Sequence, residues 1–576
     1  MSDSHYIGID VGTGSARAAL ISSTGEILAL ATKDIKTWND KPDHYEQSTK
    51  DIWESIAYCT KQILKESGVA KESVKGVGFD ATCSLSVLDA ETDEPISVVE
   101  GFAEPERNVI LWMDHRPVEE TKKINATNHP LLKYVGGQMS IEMEMPKILW
   151  LKNNMPADLF NRAKFYDLGD VLTHLATGAE TRSFCSTVCK QGYVPVGIDG
   201  SVKGWNEEFL SSIGLGELAQ NEFARIGGVD NVSGKYLSAG QPVGELSVKA
   251  AEELGLAPGT KVGSGVIDAY AGWIGTVGAK VPGETQEGMG EAYTRLSLVA
   301  GTSTCHLVMT PEAVFVPGVW GPYKDVLLPN QWLAEGGQSA TGSLLHHVVT
   351  THPSYTATLA SAKSENKSIF DYLNAHLTTL ATKHPSNSIS YLARHFFFQG
   401  DLHGNRSPIA DPQMRGSVVG LSFDTGVDNL ALHYYGAMEF VALQTRQIID
   451  TMNRAGHRID KIFMSGGQCR NSVLMKLLAN VCDMPVYIPK YIDAAVVLGA
   501  AFLGVVAAGD GKEGLWEVMR RCTGECTVVD VERKEGEKRL LDAKYKVFLH
   551  MTEAQRQYRK EVDEALGEGE WWKEEK

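Results

Sequence analysis

No stretch of this 576-residue chain is apolar for long enough to read as a membrane span. The longest uncharged apolar run, Ala494 to Ala508, falls short of the roughly 18 residues a spanning helix needs and reads instead as a buried core helix. Metal-type cysteine spacing is missing as well. The nine cysteines are scattered, and although Cys185 and Cys189 lie four apart, no second pair or histidine cluster completes a zinc site. The thiols read as reduced, which places the protein in the cytoplasm. Positive charge is in deficit: 55 Lys and Arg against 72 Asp and Glu give a net charge of −17. That argues against a nucleic-acid partner and against an anionic membrane surface. The opening residues, Met1 to His5, are polar and run straight into an apolar stretch, without the pattern of a signal peptide.

What is present is an ordinary globular composition, 43% hydrophobic and 22% charged, in a chain too long for one core. Two large domains are expected, over 1–280 and 290–510, with a charged helical extension over 511–576. The stretch around which the chain is organised is Tyr6 to Arg17. An apolar run ending in Asp10 and Val11 meets Gly12-Thr13-Gly14-Ser15, and a second apolar run follows from Ala18. This reads as strand, tight turn, strand. The glycines allow positive φ and let a ligand approach the backbone. Thr13 and Ser15 offer hydroxyls, the turn's N–H groups can converge on an anion, and Arg17 is suited to phosphate. Asp10 could hold a hydrated Mg²⁺. The plain alternative is a glycine hairpin with a solvated acid.

The plan recurs at Leu296 to Met309, where an apolar strand leads into Gly301-Thr302-Ser303-Thr304 and another leaves. Two such turns imply two similar half-domains, each with a phosphate clamp, and a nucleotide between them. Between the turns, the segment from Gly25 to Ile35 reads as a third strand. Ser48 caps a helix to about Glu66, with Ile52, Ile56, Cys59 and Ile63 on one face. A buried strand, Val74 to Phe79, follows, giving a mixed α/β sheet. Residues 90 to 108 read as a surface loop, Phe165 to Gly178 as helix, and the tail from Glu532 as an amphipathic helix on the second domain through Leu541, Tyr545, Phe548 and Met551, its charges a solvated face.

Asp268 follows a glycine turn at an apparent helix start. It is either an N-cap or a general base that takes a proton from a substrate hydroxyl as phosphate arrives. Gly466 and Gly467 before a helix, with Asn471 beyond, can close over a nucleoside or simply make a turn. Lys190, Glu335 and the set Trp112, Asp114 and Arg116 would meet the hydroxyls of a polyol if folding unites them. Separately, they read as a snorkelling lysine, a surface acid and an exposed local ion pair of little worth.

Together these motifs resemble the FGGY carbohydrate kinases of the actin-like ATPase superfamily. Ile7 to Thr13 with Arg17 looks like the first phosphate motif of that family. Gly265 to Ala269 resembles its catalytic motif, Ala300 to Ser303 its second phosphate motif, and Ser465 to Asn471 its adenosine motif. Lys147 to Asn153 is similar to a family signature, although Glu144 stands where the pattern has Pro, Ser or Thr. Order and spacing match from about residue 6 to 508. Asp80 to Ser84, Glu335 to Ala340 and Cys189 to Tyr193 look like the ribulokinase branch. The segments His403 to Pro408 and Leu111 to Arg116 look like the eukaryotic FGGY-domain proteins.

The resemblance implies two actin-like, ribonuclease H-like ATPase domains flanking the cleft. It implies ATP and Mg²⁺ as cofactors and transfer of phosphate to a pentulose, D-ribulose to D-ribulose 5-phosphate. The sugar would be held by Ala81, Trp112, Asp114, Lys190, Asp268 and Glu335. The nucleotide would be held by Gly12, Thr13, Gly14, Ser15, Arg17, Gly301, Thr302, Ser303, Gly467 and Asn471, with either Gly337 or Thr341. Asp10 and Asp268 would face the metal, and Asp268 would be the base. L-ribulose, D-xylulose and ribitol remain as alternative acceptors. A chaperone or filament ATPase of the same fold remains as an alternative class. The sequence does not set the oligomeric state, and a homodimer stays open.

Overall fold

The computed structural model describes residues 4–284, 288–509 and 511–567. Its two main sheets are built to one plan. In the first, His5–Val11 and Ser15–Ser22 form the opening hairpin and Ile27–Asp34 extends it antiparallel. Val74–Ala81 lies parallel to the first strand on its other side, followed by Lys261–Gly263, parallel, and Pro242–Glu245, antiparallel. In the second sheet, Arg295–Ala300 and Thr304–Thr310 form the hairpin, and Trp332–Gln338 extends it antiparallel. Lys461–Ser465 and Val486–Pro489 follow in parallel on the other side, and Cys526–Val529 closes the edge antiparallel. The repeated turn is therefore the outward sign of a repeated half-domain.

The helices cover these sheets by their apolar faces. Thr49–Ser67 is capped by Ser48, whose side chain accepts from the Asp51 N–H, and buries Ile52, Ile56, Cys59 and Ile63. Val427–Ala455 and Ser472–Cys482 line the second sheet's core. Ala495–Ala508 is buried almost throughout, as its composition predicts, and it is the seam of the molecule. A Cβ on Gly76 would stand 2.0 Å from the Gly504 carbonyl oxygen, and one on Gly78 2.0 Å from that of Ala500. The helix thus lies directly on the backbone of the first sheet, which only glycine on the strand permits.

Several expectations are corrected. Phe165 to Gly178 is not one helix. Ala163–Asp167 is a strand antiparallel to Leu85–Asp89, and Asp167 then caps Leu168–Thr177 by accepting from the Gly169 N–H at 3.1 Å. Residues 90 to 108 are not wholly surface: Ser97, Val98, Arg107 and Asn108 are buried, and Arg107 pairs with Glu46 at 2.9 Å. Glu535–Leu566 is the expected helix on the second domain, burying Leu541, Tyr545 and Phe548. Its charged face is not all solvated, because Lys544 is buried against Glu439 at 2.5 Å. The end of this tail, 568–576, lies outside the described residues.

Candidate active site

The two glycine turns stand at the ends of matching hairpins. Gly12 N–H donates to the Ser15 carbonyl at 3.0 Å, and Gly301 N–H to the Ser303 carbonyl at 2.9 Å. Neither Gly12 nor Gly14 adopts a positive φ, so conformational freedom is not their purpose. A Cβ on Gly14, Gly301 or Gly467 would meet nothing within 4 Å. The need these glycines meet is clear space beside the backbone. Trp112 Nε1 donates to Thr13 Oγ1 at 3.1 Å, so the indole braces the first turn. Thr341 is buried, with its hydroxyl 2.8 Å from Thr304 Oγ1, and Gln468 Nε2 donates to both Thr341 Oγ1 and the Gly301 carbonyl. The second turn and the Gly466-Gly467 segment are thereby tied together.

Three acids converge at the ends of adjacent strands of the first sheet. Asp10 lies opposite Asp80 across the parallel pair, Val266 is also opposite Asp80, and Asp268 follows two residues later. Asp80 is fully buried and neither of its carboxylate oxygens has a hydrogen-bond partner among the described residues. Burial, and then the charges of Asp10 and Asp268, push its carboxyl well above the ordinary range. Burial also raises Asp10, opposed by Arg17, whose guanidinium is 3.8 Å away. Asp268 is pushed up to about 7 by burial and then by Asp10. It is the first residue of its helix, not the cap, and its Oδ1 accepts from the Ala269 N–H at 2.7 Å. Buried carboxylates with so little counter-charge suit a hard cation.

The remaining predicted sugar residues meet where the domains touch. Lys190 and Glu335 are both buried, with Nζ and Oε2 3.5 Å apart. Lys190 is not snorkelling, and Glu335 is not a surface acid. Tyr270, from the helix that begins with Asp268, donates its hydroxyl to the same oxygen at 2.9 Å. Burial alone would raise Glu335, but Lys190 and Arg406 hold it below the usual carboxylate range. Burial would likewise lower Lys190, yet Glu335 keeps it protonated, above its ordinary value. Ala81 packs its methyl in the core of the first sheet, so only its backbone is available to a ligand.

Asp114 and Arg116 are not an exposed pair. Both are buried, and the Asp114 carboxylate accepts from the Tyr45 N–H, the Arg116 N–H and the Arg116 guanidinium. Asn471 caps Ser472–Cys482, accepts from Asn374 and donates to the Tyr434 hydroxyl at 2.8 Å. Gly337 faces Arg406 rather than the second turn: a Cβ there would stand 2.9 Å from Cδ and Nε of that side chain.

Three residues escaped the sequence reading as site members. Asp80 was in view within the Asp80–Ser84 motif but had no assigned role. Lys147 is buried and donates to the Leu111 carbonyl at 2.6 Å, fixing the segment that carries Trp112. Arg406 lies far along the chain from the residues it meets.

Solved structures place the fold among two-domain sugar kinases of the actin-like, ribonuclease H-like class. A xylulose kinase from Rhodospirillum rubrum superposes with a TM-score of 0.73 at 19% identity, covering 96% of this chain and 99% of that one. A Plasmodium falciparum glycerol kinase with ADP gives 0.71 at 16%, covering 96% and 98%. Residues 5–275 match the N-terminal domain, and 296–508 the C-terminal domain, of the FGGY family of carbohydrate kinases. A D-ribulokinase of Saccharomyces cerevisiae is 44% identical, covering 98% of this chain and 94% of that protein. A human FGGY carbohydrate kinase domain-containing protein is 40% identical, covering 96% and 97%. The chain belongs to the FGGY family of carbohydrate kinases.

Proposed function

We propose that this kinase phosphorylates D-ribulose at its terminal C5 hydroxyl, giving D-ribulose 5-phosphate, and that Asp268 is the base. The observation that carries the reading is the placement of Asp268. It follows a short strand, Val266–Ile267, that pairs with Val74–Ala81, itself the parallel neighbour of the first turn's strand, and it heads the helix whose Tyr270 reaches Glu335. One residue span thus joins the acid cluster to the polyol pocket. The acceptor is proposed from the 44% identical D-ribulokinase.

In this reading the sugar lies between Asp268 and the Lys190–Glu335 pair, within reach of the Ala81 backbone. Trp112 walls the pocket while it braces Thr13. Asp114 acts by fixing Arg116 and the Tyr45 segment, because its oxygens are engaged. The nucleotide's phosphates meet the N–H groups and hydroxyls of Gly12–Ser15 and Gly301–Ser303, where no Cβ obstructs them. Thr341 supports the second turn, Gly467 gives clear space for the nucleoside, and Asn471, its own amide engaged, holds Asn374, whose amide oxygen has no partner among the described residues. Mg²⁺, held near Asp10 and Asp268, would screen the charge of the β- and γ-phosphates. Asp268 accepts the C5 hydroxyl proton as the oxygen attacks. A carboxyl titrating near 7 is well matched to that transfer. The turns donate to the phosphoryl oxygens as charge redistributes. The nine unpaired thiols fit a reducing cytoplasm, and no helix among the described residues is long and apolar enough to cross a membrane.

The product decides the chemistry. Phosphorus–proton correlation NMR of the product from D-ribulose and ATP should couple the phosphorus to the C5 methylene protons. Coupling to C1 protons, or ADP and inorganic phosphate as the only new species, would overturn the reading.

A further inference from the structure

Glu335 has more partners than a pocket acid needs, and one of them comes from a loop that the sugar motifs do not include. Residues 401–416 form that loop, and it is rigidly built. Asp401 is buried and accepts from Gln399 Nε2 at 2.7 Å, Gln444 Nε2 at 2.9 Å and Asn405 Nδ2 at 3.2 Å. Asn405 and Asp411 exchange backbone hydrogen bonds at 2.9 Å. Ser407 Oγ donates to the Gly318 carbonyl at 2.9 Å. What this scaffold projects is Arg406.

The Arg406 Nη2 group donates to Glu335 Oε1, and its guanidinium lies 4.1 Å from the centre of the Trp320 ring. Lys190 Nζ lies 4.4 Å from the centre of the same ring and contacts Glu335 Oε2. Trp320 is the cross-strand neighbour of Glu335. One indole therefore supports both cations that grip the two oxygens of one carboxylate. The strand makes room for this by having glycine at 337, two residues along on the same face, where any Cβ would strike the Arg406 side chain.

We infer that Arg406 is a positioning residue for the sugar site, holding Glu335 ionised and aimed so that the carboxylate can accept sugar hydroxyls. This rests on the pentulose-kinase reading above. A buried carboxylate flanked only by Lys190 would have one oxygen free to turn and would take up a proton more readily. The groups facing Glu335 are Lys190, Arg406, the Tyr270 and Tyr323 hydroxyls, the Cys305 thiol and, further off, Asp268. Of these only Lys190 and Arg406 are cations, so removing Arg406 halves the positive charge that keeps Glu335 ionised.

The test is steady-state kinetics of R406Q and R406K from pH 5.5 to 8.5, against D-ribulose and ATP. R406Q should raise the sugar KM at pH 7 by about thirtyfold or more, as losing one partner of a buried charge pair does, with kcat and the ATP KM within about threefold. The ratio of its sugar KM to the wild-type value should climb further as pH falls, because Glu335 takes up a proton more readily without Arg406, whereas the titration of Asp268 is common to both enzymes and cancels in the ratio. R406K should recover only part of the loss, since it restores charge without the planar fork. An R406Q with wild-type sugar KM and a pH profile parallel to wild type overturns the inference, as does a defect confined to the ATP KM. Should R406Q not fold, E335Q/R406Q removes both charges and carries the comparison. Its sugar KM should equal that of E335Q alone, and a further rise beyond about threefold would contradict the coupling. A wild-type enzyme indifferent to D-ribulose would instead sink the pentulose reading itself.

Discussion

At the scale of single residues, the proposed chemistry turns on acids that burial holds above their ordinary titration range. Asp268→Asn keeps the shape of the proposed base and removes its proton-accepting oxygen. It should bind D-ribulose within about threefold of wild type and lose roughly 10³-fold in kcat, the scale of general-base catalysis. Isothermal titration paired with turnover checks both halves, and near-normal turnover would remove Asp268 from the role. Gly14→Ala tests the phosphate turn in a different way. Its Cβ would meet nothing within 4 Å of protein, so the melting temperature should stay within about 1 °C. An approaching phosphate would lose its clearance, so kcat/KM for ATP should fall by about tenfold or more. Asp268 and Gly14 can be singled out in the sequence because their signals are local, a glycine turn at the end of an apolar run. Asp80 and Arg406 cannot. The role of Asp80 depends on which strands are neighbours, and that of Arg406 on a loop packed across a strand some seventy positions away. Neither relation leaves a mark in nearby sequence.

At the scale of elements, one helix joins the domains. Ala495–Ala508 reads in the sequence as a buried apolar helix, and it is one. Its partner was not readable, because a helix apolar on every side has no face to point with. The strand glycines at 76 and 78 settle the matter only once the close approach is seen. Gly78→Ala would place a Cβ 2.0 Å from the Ala500 carbonyl oxygen, which forces the helix away from the sheet. A loss of about 2 kcal/mol or more of stability is expected, in the range of core overpacking, and chemical denaturation measures it. Retention of wild-type stability would mean that the seam is looser than described. Of the expected helix from Phe165 to Gly178, only the first three residues are strand instead, for a related reason: their aromatic residues fit either period over so short a run, and strand pairing with Leu85–Asp89 decides.

At the scale of the whole molecule, two half-domains of one plan each carry a glycine turn at the end of the matching hairpin. The repeat was legible from Gly12–Ser15 and Gly301–Thr304 alone. The matching strand order was not, since the returning strands are separated from each hairpin by long insertions. Global stability should carry a histidine signature from the second domain. His457 is buried with both ring nitrogens unpartnered among the described residues, and burial lowers its pKa to about 4. The folded state keeps it neutral while the unfolded chain titrates near 6.5. Its cost is therefore absent above about pH 6.5 and grows as pH falls toward 4, reaching about 3 kcal/mol. His457→Phe should flatten the fall of melting temperature with pH across that window relative to wild type; parallel profiles would contradict the assignment.

The central claim, that phosphoryl transfer here waits for a pentulose, is tested most directly by ADP release from Mg-ATP with D-ribulose, L-ribulose, D-xylulose, ribitol, glycerol and no sugar. The account predicts turnover with D-ribulose well above every other acceptor and near-background release without sugar. Equal ADP release in all six reactions would contradict it and leave an ATPase that needs no acceptor.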